Sequence, residues 1–307
     1  MKKMKMKSNL LVYLILVIAM FFWGASFIFT SIVLKSLDPI SIVFIRLVLS
    51  SALLWSIIAF FFRNEKIPFL IVKWIVVLAF FQPFIYFIGE TYGLQRVSPV
   101  VTSLIISTIP VFTAIIMRLF FNARLTAINF VGIFISLLGV TLMIVGKNMQ
   151  IDVDALGLFL LFIAVIAAVG YGILLNKLAA NVHPVWLIAV QNSVAILYFL
   201  PIYLVLRQTP DFDHASVFAF LTPQLEMWTC LLILAVFCSS LAFIFFSMAV
   251  GKIGVARSTV FSNLTPIFTA VTSFFILGEL LAATKIAGIV VVIVGLILTQ
   301  RKKPVKE

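Results

Sequence analysis

The stretch Pro110-Val-Phe-Thr-Ala114 returns 156 residues later as Pro266-Ile-Phe-Thr-Ala270. At this offset, residues 92–142 align without a gap with residues 248–298, and 10 of the 51 paired positions are identical. The identity is low for two apolar segments, so the register of the prolines and glycines is the better argument. The sequence therefore predicts an internal duplication.

Two further observations extend the duplication. The glycines of the two segments fall in register, as Gly132 with Gly288 and Gly139 with Gly295. A looser match at an offset of 145 pairs Leu37-Asp-Pro39 with Val182-His-Pro184, and therefore Arg46 with Gln191. The repeated unit is thus about half of the chain.

The composition assigns the duplicated chain to the membrane. Hydrophobic residues make up 64% of its 307 positions and charged residues only 10%, whereas a soluble domain carries roughly 25% charged residues. The formal net charge of +12 lies in short segments between apolar runs. There it fits topology control and attraction to anionic lipid head groups better than nucleic-acid binding.

Ten apolar runs are predicted to span the bilayer, because a helix needs about 20 apolar residues to cross it. The runs are residues 8–34, 47–62, 74–89, 97–117, 125–146, 155–176, 178–206, 227–251, 258–278 and 286–300. The second and third reach full length only if they enclose Arg46 and Glu90, and the tenth only if Lys285 snorkels to the interface.

The basic residues orient the spans. With the amino terminus inside, 16 of the 22 Lys and Arg residues fall on the inner side, as the positive-inside rule requires. We therefore predict two cytoplasmic basic tails, 1–9 and 301–307, and a multi-pass protein of a bacterial inner membrane.

The number of spans in each unit determines the fold class. Each unit, 10–147 and 156–300, holds five spans, so the second enters the membrane from the opposite side. We predict an all-α integral membrane protein of ten transmembrane helices, built as two inverted five-helix repeats. Inverted repeats recur among secondary transporters, with the substrate site between the halves.

Several landmarks together resemble the EamA-type branch of the drug/metabolite transporter superfamily over about residues 10–300. They are Trp23-Gly24-Ala-Ser26, Pro39, Arg46, Pro110, Pro266, Leu277-Gly278-Glu279, Gly288 and Gly295. The resemblance implies a central cavity lined mainly by spans 1, 3, 4, 6, 8 and 9. It also implies export or exchange of amino acids, other metabolites or toxic compounds. The first repeat departs from this pattern, because Asn122-Ala-Arg124 stands opposite Gly278-Glu279-Leu280.

Arg46 and Glu90 are the first candidates for substrate or ion contact, because ions at membrane depth are costly and usually functional. Counted from Pro39 and Arg96 at 1.5 Å per residue, both lie roughly 10 Å below the outer surface. Glu90 is a candidate protonatable or cation-binding group, and Arg46 is its partner or an anion clamp. The alternative is a structural ion pair between spans 2 and 3.

Pro110 and Pro266 are candidates for helix breaks that gate the protein, because each removes a backbone donor and frees an upstream carbonyl. The alternative is a packing kink. Asn263, which pairs with Ser107 in the repeat, lies one turn before Pro266 and is expected to reach that carbonyl or the cavity.

Trp23, Tyr86, Tyr171 and Gln82 complete the candidate set. The indole N–H of Trp23 needs a partner deep in span 1, and the two tyrosines lie well inside their spans. These aromatic rings suit a substrate with an aromatic or apolar body, although core packing explains them as well. Gln82 is a candidate for substrate contact or for hydrogen bonding between helices.

Other classes of function lack sequence support. The chain has no Walker A phosphate loop and no His/Cys/Asp cluster with metal-ligand spacing, so we predict no enzyme, cofactor or metal. The expected partners are a small-molecule substrate, the lipid bilayer, and protons or another coupling ion, with no nucleic acid; a monomer suffices.

The leading prediction is a secondary exporter or exchanger. An uncoupled, channel-like facilitator and a membrane receptor or scaffold stay open as alternatives.

Overall fold

A computed structural model shows the chain as a bundle of helices. It describes residues 2–62, 69–121, 127–144, 154–208, 225–278 and 283–299, and all regular structure in these ranges is helical. Several positions named above lie outside the described residues, namely 122–124, 147, Glu279, Leu280, 300 and 301–307.

The helices are numbered here in chain order. Their bounds are α1 (Lys2–Val33), α2 (Pro39–Phe61), α3 (Phe69–Ala79, Phe80–Ile85 and Tyr86–Arg96), α4 (Pro99–Ile106 and Ile109–Phe121), α5 (Ala127–Ile144), α6 (Ala155–Leu178), α7 (Pro184–Leu206), α8 (Leu225–Ile233, Leu234–Leu241 and Ala242–Ile253), α9 (Val255–Ser258, Thr259–Leu264 and Thr265–Leu277) and α10 (Ala283–Thr299). Helices α3, α8 and α9 consist of segments of different helical type, and α4 consists of two α-helical segments. Because α1 begins at Lys2, helix continues into the segment predicted as a basic tail.

Eight of these helices are long and apolar enough to cross a membrane, judged over the described ranges. They are α1 to α4 and α6 to α9. As expected, α2 encloses Arg46 and α3 encloses Glu90. Helices α5 and α10 are apolar but have only 18 and 17 residues, and they pack against each other. The count of ten spans therefore stays a prediction.

Local capping explains where several helices begin. Three of them start at a proline, namely Pro39, Pro99 and Pro184, because proline suits the first helical position, whose N–H has no helical partner. Asp38 accepts a hydrogen bond from the Ser41 amide at 3.0 Å. Asp154 likewise accepts one from the Gly157 amide at 2.7 Å. This bond, and then the Arg96 guanidinium, lowers the pKa of the Asp154 carboxyl.

Helices α3 and α8 each contain a wide, π-helical segment. In α3 this segment is Phe80–Ile85, where Gln82 departs from helical geometry with φ −148° and ψ 122°. In α8 it is Leu234–Leu241. At the offset of 156, Phe80–Ile85 corresponds to residues 236–241, so the two irregular segments are equivalent positions of the repeat.

Helices α4 and α9 are interrupted at a second pair of equivalent positions. In α4 the helix stops at Ser107 and Thr108 and resumes at Ile109. In α9 a 3₁₀ segment, Thr259–Leu264, precedes the last helical segment. The offset of 156 places Ser107 on Asn263, which lies in this 3₁₀ segment.

The helix contacts follow a two-fold pattern that supports the repeat. Helix α2 packs against α7, α3 packs on α6 as α8 packs on α1, and α4 packs on α6 as α9 packs on α1. Glycine permits two of these close approaches. A Cβ on Gly89 of α3 would lie 2.5 Å from the Leu160 carbonyl of α6. A Cβ on Gly24 of α1 would lie 2.8 Å from the Thr265 carbonyl of α9.

Candidate functional site

A cavity lies in the middle of this helix arrangement. It is lined by residues of α1, α2, α3, α4, α6, α8 and α9. Six of the nine candidates from the sequence belong to its lining, namely Trp23, Arg46, Gln82, Tyr86, Glu90 and Tyr171. The charged side chains in this lining are Arg46 and Glu90.

Arg46 is buried in the cavity wall and is held by contacts to two other helices. Its Nε donates a hydrogen bond to Ser239 Oγ of α8 at 2.8 Å. Its Cζ lies 4.3 Å from the centre of the Phe87 ring of α3, which is the geometry of a cation–π contact. Arg46 forms no ion pair with Glu90, and over the described ranges the ion pair found is that of Arg96 with Asp154.

Glu90 accepts a hydrogen bond from a residue of its own helix. The Tyr86 hydroxyl, one turn earlier in α3, donates to Glu90 Oε1 at 3.3 Å. This contact exists because the last segment of α3, Tyr86–Arg96, is regular helix, which places residues four apart on one face. The structural ion pair between α2 and α3, which the sequence left open as an alternative, is not found in the described ranges. Arg46 and Glu90 nevertheless line the same cavity.

Ser239 belongs to a buried hydrogen-bonded network of four residues, each of which is at most 2% exposed. The Ser239 carbonyl accepts a hydrogen bond from Asn192 Nδ2 of α7 at 3.2 Å. The same Nδ2 donates to Ser50 Oγ of α2 at 2.8 Å. The Ser50 and Ser240 hydroxyls are 2.6 Å apart. We call Ser50, Asn192, Ser239 and Ser240 the serine–asparagine network.

Trp23 obtains its predicted partner from the same part of α8. Its Nε1 donates to the Cys238 carbonyl at 3.3 Å, and its ring lies 5.1 Å from the rings of both Phe243 and Phe246. Cys238 and Ser239 both lie in the π-helical segment of α8, and each offers its carbonyl to a side chain of another helix.

Phenylalanine contributes more to the cavity than the sequence predicted. Phe27, Phe87, Phe243 and Phe246 belong to the lining, although the sequence assigned no function to any of the 32 phenylalanines. No local signal identifies them, because lipid-facing and cavity-facing positions of a membrane helix are both apolar. The serines of the network were missed for a related reason, since isolated serines are common in membrane helices.

The three remaining candidates do not line the cavity. Pro110 and Pro266 lie in the first turn of the helical segments that follow the two interruptions. The sequence predicted that Pro266 leaves an upstream carbonyl free. In the structure, the carbonyl four residues before it, that of Ser262, accepts a hydrogen bond from the Thr265 amide. Asn263 is buried away from the lining, and its Oδ1 has no hydrogen-bond partner within the described residues. Asn263 therefore does not line the cavity in this structure, and its role as a site residue stays a prediction.

Tyr171 connects the cavity to α7. It lines the cavity from α6, and its hydroxyl approaches the amide of Gln191 of α7 without closing a hydrogen bond. Gln191, the repeat counterpart of Arg46, is fully buried and lies behind the lining. The charged side chains of the lining thus come from the first repeat.

The residues present suit binding of a small organic molecule rather than a metal. In the described ranges no group of three or more His, Cys, Asp or Glu residues could hold a metal ion. An arginine, a carboxylate and several aromatic rings instead converge on one enclosed space. Such a space, mostly apolar with few polar groups, is the usual form of a small-molecule site.

Comparison with known proteins gives a consistent picture. The model of the EamA-like transporter family matches residues 10–145 and again residues 155–301. An "Uncharacterized transporter" of Archaeoglobus fulgidus is 24% identical over 95% of this chain and 99% of its own length. The "Uncharacterized transporter YyaM" of Bacillus subtilis is 22% identical over 94% and 93%. A solved crystal structure has the same fold, with a TM-score of 0.69 at 11% identity over 94% of this chain and 95% of that one.

Proposed function

The chain belongs to the EamA-like transporter family, and from this premise we propose that it is a secondary active transporter of small metabolites, amino acids or amphipathic drug-like compounds. The family match confirms the resemblance noted in the sequence and the presence of two copies of the family unit. We propose that the protein works by alternating access, as an exporter or exchanger, with the central cavity as its substrate site.

The unpaired Arg46 and Glu90 in an aromatic cavity carry this proposal. A guanidinium without an ion partner is suited to a carboxylate, and a carboxylate is suited to an ammonium group. The Trp23, Phe243 and Phe246 rings offer apolar surface to the rest of the substrate. One positive and one negative group favour zwitterions or singly charged molecules over multiply charged nucleotides.

Glu90 is the proposed coupling group. A buried carboxylate beside an arginine binds a proton or a cationic substrate group in competition. Uptake of a proton by Glu90 would therefore change the charge that the cavity presents. This arrangement supports exchange of substrate against protons or another cation.

The repeat supports the proposed topology. Ten spans in two inverted halves would place both termini in the cytoplasm and the cavity near the bilayer midplane. The distribution of basic residues supports this orientation in the inner (plasma) membrane of a bacterium. We propose a monomer as the functional unit, since the cavity is complete within one chain.

Counterflow in liposomes tests the proposed function. The purified full-length protein is reconstituted, loaded with unlabelled amino acids or amphipathic cations, and exposed to the labelled compound. We expect saturable, trans-stimulated accumulation of at least one compound. Linear uptake without trans-stimulation would instead support an uncoupled facilitator, and no flux across the panel would contradict transport through this cavity.

Two arginine variants make this test specific for the cavity. Arg46→Gln removes the cavity cation, whereas Arg207→Gln removes a guanidinium at the end of α7 that lies over Tyr203. We expect Arg46→Gln to raise the half-saturating concentration of a carboxylate-bearing substrate roughly tenfold, since a charge-assisted contact is lost. Arg207→Gln is expected to behave like the unmodified protein.

A further inference from the structure

The Arg46 guanidinium is anchored only through its inner end. A guanidinium carries five N–H donors, and within the described residues only Nε of Arg46 has a hydrogen-bond partner, Ser239 Oγ. The face of the group rests on Phe87. The terminal amino groups thus belong to a cavity-lining side chain and have no protein acceptor in the described part of the chain.

The absence of an ion pair with Glu90 requires a physical cause. Opposite charges that share an interior of low dielectric constant attract strongly, and arginine is long enough to reorient toward a neighbour. Glu90 and Arg46 line the same cavity. Some contact must therefore hold the guanidinium back.

Ser239 is the residue placed to do this. Its hydroxyl is the acceptor that Arg46 uses. Ser239 lies in the π-helical segment of α8, and its carbonyl accepts a hydrogen bond from Asn192 of α7, which in turn donates to Ser50 of α2. The anchor is therefore rigid, unlike a hydroxyl on an exposed helix face.

We propose that Ser239 is a positioning residue that holds the Arg46 guanidinium away from Glu90, so that the cavity presents a free cation to the carboxylate of a substrate. Without the Ser239 hydroxyl, the Arg46 guanidinium turns to Glu90 and forms an ion pair with its carboxylate. The substrate carboxylate then has to compete with Glu90 for the guanidinium. This inference rests on the proposed function of the cavity.

A double-mutant cycle tests the inference. Liposomes containing the full-length protein are assayed for saturable uptake of 3-phenylpropionate, which carries a carboxylate and an aromatic ring but no amine. The proteins compared are the unmodified chain, Ser239→Ala, Glu90→Gln and the double variant. We expect Ser239→Ala to raise the half-saturating concentration roughly tenfold, the size expected for loss of one charge-assisted contact.

The effect of Ser239→Ala should depend on Glu90. In the Glu90→Gln background no negative charge attracts Arg46, so removing the Ser239 hydroxyl should change the half-saturating concentration less than about twofold. Such non-additivity is the signature of residues that act on one another. A purely structural role of Ser239 would instead give the same loss in both backgrounds, and that result would overturn the inference.

Two further serine variants serve as controls. Ser239→Thr keeps the hydroxyl, and its half-saturating concentration is expected to match that of the unmodified protein. Ser247→Ala removes a buried hydroxyl from the same helix that has no hydrogen-bond partner within the described residues, and it is expected to have no effect.

Phenethylamine and L-phenylalanine, which share the ring but carry different charges, separate the inference from the proposed function. Uptake of phenethylamine without any uptake of 3-phenylpropionate by the unmodified protein would overturn the inference alone. Failure to transport any of the three probes would overturn the proposed function for aromatic substrates, and the inference with it.

Discussion

The two buried charges of the cavity are held by contacts that differ in sequence separation. Glu90 is held within α3 by Tyr86, four residues earlier, so its partner could have been found by counting along one helix. Arg46 is held by Ser239, which lies 193 residues away in the chain. Both charges stand out in the sequence because ions inside membrane spans are rare. Their separation, and therefore their availability to a substrate, depends on the distant contact.

Glu90→Gln tests the coupling role at the scale of one residue. The substitution keeps the size of the side chain and an acceptor for Tyr86, but it removes the group that can exchange a proton. We expect the exchange rate to lose its dependence on pH, because the glutamine amide has no proton to exchange in the working range. Counterflow at several pH values measures this.

The control for this prediction is Glu226→Gln, which changes an exposed carboxylate in the first turn of α8. It should leave the pH profile as it is. If Glu90→Gln retains both transport and its full pH dependence, Glu90 is not the coupling group.

At the scale of elements, the helix interruptions matter more than the prolines that marked them in the sequence. Pro110 and Pro266 lie just after the interruptions and do not line the cavity. The π-helical segment of α8 is more consequential, because its carbonyls bind Trp23 and Asn192. The Cys238-Ser239-Ser240 run carries no strong sequence signal for such a segment. A proline therefore indicated where helices break, but not which break forms the site.

Gly89→Ala tests the close packing of α3 on α6. An added Cβ would lie 2.5 Å from the Leu160 carbonyl and 3.0 Å from the Ala164 amide, and neither backbone atom can move aside alone. We expect the free energy of unfolding to fall by about 1–3 kcal/mol, the usual cost of overpacking. Thermal unfolding of the purified protein in detergent measures the change.

Gly172→Ala is the matched control for packing. A Cβ there would meet only Cγ2 of Val255 at 3.0 Å, a side-chain methyl that can adjust, and alanine is the better helix former. Its effect on unfolding should be much smaller than that of Gly89→Ala. Equal losses for the two variants would show that the α3–α6 contact does not limit stability.

At the scale of the whole molecule, the two halves share a scaffold but not a charge distribution. The paired interruptions of α3 with α8 and of α4 with α9 follow the repeat, and so do the helix contacts. Arg46 and Glu90 both come from the first half, whereas the second half supplies Ser239, Asn192 and part of the aromatic wall. The site is therefore assembled between halves, which couples substrate contact to any movement of one half against the other.

A disulfide between α2 and α8 tests whether the halves move. The hydroxyls of Ser50 and Ser240 are 2.6 Å apart, so cysteines at these positions would bring their sulfur atoms within bonding reach. We expect the oxidised Ser50→Cys/Ser240→Cys protein to lose counterflow and to regain it on reduction. Gel mobility after a specific cut in the segment between the halves measures the extent of crosslinking.

The single-cysteine variants control for the substitutions themselves, and the unmodified chain controls for its native Cys230 and Cys238. None of these should respond to oxidation. Complete crosslinking with undiminished counterflow would show that α2 and α8 stay together throughout transport.

The sequence by itself determined that this protein lies in the membrane, that it is duplicated, and that Arg46 and Glu90 are exceptional. These conclusions follow from composition, from the spacing of prolines and glycines, and from the cost of burying charge. Six of the nine candidate residues that the sequence singled out line the cavity.

Only the tertiary structure decided which residues face the cavity and which charges stay apart. Lipid tails and the protein interior are both apolar, so the pattern of a membrane helix does not distinguish Phe243 in the cavity wall from a lipid-facing phenylalanine. The contact of Arg46 with Ser239 joins residues from opposite halves of the chain, and no local pattern in the sequence encodes a partner at that distance.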